Sequence, residues 1–208
     1  MIKTWQEKVA SDERFQSMVM WSGIPVPTYS THRLQTFLTV NGTKEAYQAS
    51  LDFVSGKSPH HFLTFVGEPG RGKTHLALGI GWHWLENSLG LVKYWQVESL
   101  LDDLRQGFHA TTEERQHRFD EKMKQIKTVS LLILDDLGVE QSTAWARAKL
   151  DEIIDHRYIN RETTIFTTNL SPDKLEPRIA SRLQEGIVAI LECSDYRKLK
   201  AKRGKSAD

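Results

Sequence analysis

The chain has 208 residues, 39% of them hydrophobic and 26% charged, with a formal net charge of +1. That length fits one domain with at most a short appendage, and the composition excludes a disordered or collagen-like chain. Near-zero net charge carries no global nucleic-acid signature, so any such binding must come from local patches. The single cysteine, Cys193, cannot form an internal disulfide, and no Cys/His cluster has zinc-ligand spacing, which fits a reducing cytoplasm. Apolar stretches stop short of membrane-spanning length, so no membrane partner is expected, and residues 1–15 lack the apolar run of a secretory signal.

In chain order, residues 1–22 read as a charged amphipathic helix with Trp5, Val9, Phe15 and Met18 as apolar positions, halted at Gly23-Ile24-Pro25. We expect this segment to be an N-terminal extension that docks on a partner. The main domain then runs over 23–197, with a basic, disordered tail at 198–208. A first strand is predicted at 61–66, followed by a helix over 74–89 and a second strand at 91–97. Val97, Leu100, Leu101, Leu104 and Phe108 share one face of the next helix, and Phe119, Met123 and Ile126 one face of another. The third strand, 129–134, is almost wholly aliphatic, as a strand buried on both faces should be. Ala146, Leu150, Ile153, Ile154 and Tyr158 form the apolar stripe of the helix before strand four at 163–168, and a fifth strand lies at 187–191. This alternation predicts an α/β fold, a three-layer sandwich around a five-stranded, mostly parallel sheet. The Trp82-His83-Trp84 cluster reads as packing.

Residues 67–74 read G-E-P-G-R-G-K-T, a complete phosphate-binding loop between a strand and a helix. Its glycines free the backbone so that successive N–H groups can face phosphate oxygens at the positive end of a helix dipole. Gly67, Glu68, Pro69, Gly70, Arg71, Gly72, Lys73, Thr74 and His75 are therefore the nucleotide-binding candidates. Lys73 suits the β- and γ-phosphates and the Thr74 hydroxyl suits Mg²⁺. The third strand ends L-L-I-L-D-D, which sets carboxylates in the crevice where open α/β sheets bind ligands. Asp135 fits the Mg²⁺-holding acid, and Asp136 stands where a base orienting the attacking water belongs. Many such enzymes carry Glu there, one methylene longer, so slow catalysis is expected. Asn169 ends strand four and either bonds the γ-phosphate or water, or starts the turn Leu170-Ser171-Pro172. Arg178 and Arg182, four residues apart, share a helix face suited to phosphate or to surface ion pairs with Glu176 or Glu185.

Taken in order, these motifs resemble the AAA+ ATPases, and more narrowly the DnaC/DnaI-type replicative helicase loaders with their IstB-like relatives. Further matches are S-G-I-P and L-Q-T-F within residues 22–37, A-K-L-D-E-I-I-D-H-R-Y at 148–158, T-T-N-L at 167–170, R-I-A-S-R-L at 178–183 and D-Y-R at 195–197. The resemblance implies a P-loop fold of the ASCE class without the C-terminal helical lid. It makes Asn169 sensor 1, Arg182 an arginine finger reaching a neighbouring subunit, and Arg197 the sensor 2 arginine, all catalytic alongside Asp136. It also implies that the helix from Val97 lines a spiral and touches single-stranded DNA. Arg105 and Phe108 then become DNA-binding candidates, although Phe108 also completes an apolar stripe.

The expected function is an ATP- and Mg²⁺-dependent loader of a hexameric replicative helicase, binding single-stranded DNA and self-associating through Arg182. Slow, partner- or DNA-regulated hydrolysis would go with it. The alternatives are an IstB-like transposition helper on duplex DNA and an ATP-switched adaptor with little turnover.

Overall fold

The computed structural model describes residues 12–108, 113–138 and 143–195. Arg197, Trp5, Val9 and the basic tail lie outside the described residues, as does the side chain of Phe108. Among the described residues five strands form one all-parallel sheet: β1 (Phe62–Val66), β2 (Val92–Gln96), β3 (Leu131–Leu137), β4 (Thr163–Thr168) and β5 (Ile187–Ile190). Their order is β2-β3-β4-β1-β5, so β4 is inserted between β1 and β3. That insertion brings the C-terminal ends of these three strands into one crevice.

Among the described residues seven α-helices cover the sheet: α1 (Glu13–Ser22), α2 (Lys44–Val54), α3 (Lys73–Glu86), α4 (Val97–Phe108), α5 (Glu113–Thr128), α6 (Ala144–Ile159) and α7 (Pro177–Gln184). None is long and apolar enough to cross a membrane. The period-two alternation of the central strands sorts their side chains between two cores. In β3, Leu131 and Ile133 join the core under α1, α2 and α3, while Leu132 and Leu134 join the one under α4 to α7. Helix α3 buries Leu76, Ala77, Leu78, Ile80, Trp82 and Leu85 around most of its circumference, as a helix enclosed by sheet and neighbours should. Trp82 is wholly buried, with its indole N–H donating to Thr28 Oγ1 at 3.0 Å.

Two expectations change. Strand β3 continues through both aspartates to Leu137, with an irregularity in its pairing to β4 between Leu134 and Leu137. The N-terminal boundary expected after residue 22 is not a packing boundary. Helix α1 starts on Asp12, whose side chain accepts from Phe15 N, and ends on Gly23 at φ +76. It seats Phe15 and Val19 in the core and leaves Met20 69% exposed.

Arg157 is fully buried in α6. It donates to Thr164 Oγ1 at 2.8 Å, to the carbonyls of Ile126 and Lys127 at 2.9 and 3.0 Å, and to Thr163 O at 2.6 Å. It thereby ties the C-terminus of α5 to the start of β4. Burial draws its pKa down to about 10. Arg157→Leu orphans these acceptors, each worth about 1–3 kcal/mol when buried without a partner. The variant is expected to lose at least about 3 kcal/mol in urea unfolding; a loss under about 1 kcal/mol would contradict this account.

Candidate functional site

The loop between β1 and α3 has positive φ at Gly70 (+80°) and Gly72 (+97°), left-handed backbone that a Cβ disfavours. At Gly70 a Cβ would also come within 2.7 Å of Asp195 Oδ1, so the segment after β5 lies against the loop. Arg71 extends that strap, donating to Leu191 O at 3.0 Å and pairing with Glu68 at 2.6 Å.

Lys73, 5% exposed, places its ammonium at the loop's mouth, donating to Gly67 O at 2.7 Å, Glu68 O at 3.1 Å and Asn169 Oδ1 at 2.6 Å. Asn169 thus faces the phosphate loop, and the turn after it runs through Ser171 into a short 3₁₀ helix, Pro172–Lys174. Thr74 Oγ1 donates to Asp135 at 2.9 Å, joining the first turn of α3 to the end of β3. Asp135 is 1% exposed and accepts two more hydroxyls, from Thr167 at 2.6 Å and Tyr94 at 2.9 Å. A hydroxyl and a carboxylate are hard oxygen donors, and Mg²⁺ in such sites takes few protein ligands, the rest coming from phosphate and water. Thr74 and Asp135 therefore fit Mg²⁺. Among the described residues no cluster of three His, Cys, Asp or Glu side chains could hold a metal by itself.

Asp136 has φ +61, left-handed backbone that Asp tolerates better than most residues. Its amide donates to Thr167 Oγ1 at 2.9 Å, so one threonine steadies both aspartates. Burial raises the Asp136 pKa, the charge of Asp135 raises it further, and Lys73 opposes both. Burial, with Asp135 next to it, also pushes the Tyr94 phenol well above its usual range. Tyr94 escaped the motif reading because an aromatic in a short strand looks like packing, and only the β2–β3 register brings its hydroxyl to Asp135.

Two further candidates lie as follows. The His75 imidazole turns away from the loop and is buried. Its Nε2 lies 2.9 Å from Arg33 O and 3.2 Å from Thr36 Oγ1, and its ring packs on His32 and Phe37. Only its backbone amide, in the first turn of α3, is left for phosphate. Arg105 is exposed on α4, its guanidinium 5.2 Å from the Trp145 ring centroid.

Arg178 and Arg182 share a face of α7, but their main partners are on α6. Arg178 pairs with Asp151 at 2.8 Å and with Asp155, and Arg182 Nε lies 3.2 Å from Asp155 Oδ1. Glu176 caps α7 by accepting from Arg178 N and Ile179 N, and Glu185 stands 3.6 Å from Arg182. The Arg182 guanidinium lies 4.2 Å from the Tyr158 ring centroid and lines a cavity of about 360 Å³ with Phe62 and Gly186. Phe62 opens β1 and Gly186 precedes β5, so Arg182 sits at the end of the sheet opposite the phosphate loop.

Residues 7–180 match the family described as IstB-like ATP binding protein. The chain is 28% identical over 173 residues to the chromosomal replication initiator protein DnaA of Thermotoga maritima, covering 81% of this chain and 38% of that protein. It is 30% identical over 116 residues to the replicative helicase loader DnaI of Bacillus subtilis, covering 55% of this chain and 35% of that protein. The chain thus spans well under half the length of these curated relatives. Among solved structures, it superposes on a crystal structure of the DnaC helicase loader with TM-score 0.68 and 26% identity, covering 78% of this chain and 97% of that one.

Proposed function

The chain belongs to the IstB-like ATP-binding protein family, and from that membership we propose that it is an AAA+ ATPase loading a replicative helicase onto single-stranded DNA in the cytoplasm. The observation that carries the reading is the convergence of three strand ends. Lys73 from the phosphate loop stands 2.6 Å from Asn169 after β4, while Thr74 stands 2.9 Å from Asp135 in β3. The DnaI and DnaC relatives supply the helicase half of the proposal.

In this reading the loop amides and Lys73 bind the β- and γ-phosphates of ATP, and Thr74 and Asp135 would hold Mg²⁺, which would supply positive charge at those phosphates. Asp136 orients the attacking water and takes its proton. Asn169 positions the γ-phosphate beside Lys73, and Arg182 of a neighbouring copy stabilises charge in the transition state. Arg197, as sensor 2, is assigned from the sequence motif alone. Nucleotide state then sets self-association and grip on the hexameric helicase, and the exposed side of α1, with Met20, is the docking face. DNA contact falls to α4 through Arg105 and Phe108.

Asp136→Asn is expected to lower turnover about 10²- to 10⁴-fold by removing the proton acceptor, with ATP affinity little changed. Normal steady-state hydrolysis in this variant would assign the base elsewhere.

The deciding experiment mixes the protein with its host's replicative helicase and ATP·Mg²⁺ or ADP, and measures complex mass by light scattering. A complex heavier than the helicase ring, formed with ATP alone, supports the loader. No complex with either nucleotide sinks it. The IstB-like description of the family favours a second reading, a transposition helper. That protein would instead assemble on duplex DNA with ATP and ignore the helicase.

A further inference from the structure

Asp135 presents about four lone-pair directions, and hydroxyl donors from three separate elements already engage it. Thr74 reaches it from α3, Thr167 from β4 at 2.6 Å, and Tyr94 from β2 at 2.9 Å. Thr167 bonds Oδ1 alone and Tyr94 bonds Oδ2 alone, while Thr74 spans the pair, 2.9 Å from Oδ1 and 3.2 Å from Oδ2. Tyr94 gives Oδ2 its shorter bond, and opposite Thr167 on Oδ1 it is placed to fix the rotation of the carboxylate about its own axis, which the shared approach of Thr74 to both oxygens leaves loose.

The strand register makes this contact specific. Tyr94 pairs with Ile133, two residues before Asp135, and its ring packs against the core beneath α3 while its hydroxyl reaches along the strand to the carboxylate. Its neighbour Trp95 packs against the opposite core, so a one-residue slip of β2 would withdraw the hydroxyl. Phenylalanine in its place keeps the ring and its packing and deletes only the donor.

We propose that Tyr94 is a positioning residue for the metal-holding carboxylate, setting the affinity of the Mg²⁺–nucleotide complex by orienting Asp135 through Oδ2. This rests on the ATP·Mg²⁺ reading of the site. Groups that orient a metal-ligating carboxylate typically change metal affinity by about 10- to 100-fold when removed.

The test uses the full chain and a fluorescent, non-hydrolysable ATP analogue, titrated with Mg²⁺ and measured by anisotropy beside a metal-free arm in EDTA. Wild type and Tyr94→Phe are compared, with thermal melting as the check on folding. Tyr94→Phe should raise the half-saturating Mg²⁺ concentration by about 10-fold, with analogue affinity in EDTA and the melting temperature unchanged. An unchanged Mg²⁺ midpoint in the variant overturns the assignment. So does an equal loss of affinity with and without Mg²⁺, which marks a packing role. If wild type itself binds the analogue without regard to Mg²⁺, the ATP·Mg²⁺ reading falls and takes the Tyr94 role with it. Thr167→Val serves as a second variant, because it removes an Oδ1 donor from the same carboxylate. If it raises the Mg²⁺ midpoint while Tyr94→Phe does not, the orienting contact lies on Oδ1 and the proposal fails.

Discussion

Arg182→Ala is expected to bind ATP as wild type does and to turn it over about 10³-fold more slowly. The prediction follows from where the side chain stands. It lies beside Phe62 and Gly186, at the far end of the sheet from the phosphate loop of its own chain. A role at a γ-phosphate therefore requires a neighbouring copy. The side chain is also oriented in advance: Asp155 holds Nε at 3.2 Å and Tyr158 lies under the guanidinium at 4.2 Å. A bond to Asp155 on one edge leaves other N–H groups of the guanidinium fork for a phosphate. Arg178 is the internal control. It is engaged by both Asp151 and Asp155, and Arg178→Ala should cost little beyond an exposed ion-pair network. The decisive assay mixes two inactive variants. Arg182→Ala supplies an intact nucleotide site and Lys73→Ala an intact finger, so the mixture should regain turnover that neither shows alone. Normal hydrolysis by Arg182→Ala would remove the finger assignment, and failure of the mixture would remove its action between copies.

The second large effect is on binding. Lys73→Ala should weaken ATP at least about 100-fold, the range expected when charge-assisted bonds to phosphate are lost. Lys73 is 5% exposed and its ammonium is held by two loop carbonyls and Asn169. It is therefore positioned before nucleotide arrives, and little ordering entropy opposes binding. Asn169→Ala removes one of those contacts and should have a far smaller effect on affinity. Calorimetric titration of both variants makes the comparison, and near-wild-type affinity in Lys73→Ala would place the nucleotide elsewhere.

Much of this site was legible because its parts are local in the chain. G-E-P-G-R-G-K-T carries its loop, its lysine and its hydroxyl within eight residues, and L-L-I-L-D-D puts two carboxylates at the end of one aliphatic strand. The five strands were legible for a similar reason, since buried parallel strands read as short apolar runs. Contacts set by sheet register were not. Tyr94 is 41 residues from Asp135, and Arg178 meets Asp151 across 27 residues, so neither pairing has a local signature. Helix α1 was legible as an element but not in its packing. An amphipathic helix looks the same whether its apolar face meets a partner or the chain's own sheet, and here Phe15 and Val19 meet the sheet's core. The orientation of His75 was not legible, because motif adjacency says nothing about which way a helical side chain points, and its imidazole faces Arg33 and Phe37.

The left-handed turn at Asp136 bears on why the shorter acid stands there. At φ +61 the backbone favours Gly, Asn and Asp, whose short side chains can settle against nearby peptide groups, and penalises longer ones. With Asp136 as the proposed base, Asp136→Glu would add a methylene of reach toward the water while asking the irregular stretch of β3 to hold a residue it tolerates poorly. Reach and turn geometry are thus in conflict at one position. If Asp136 is the base proposed above, faster hydrolysis through a longer acid would first require the irregular stretch of β3 to be reshaped, and the main chain as well as the chemistry would set the pace.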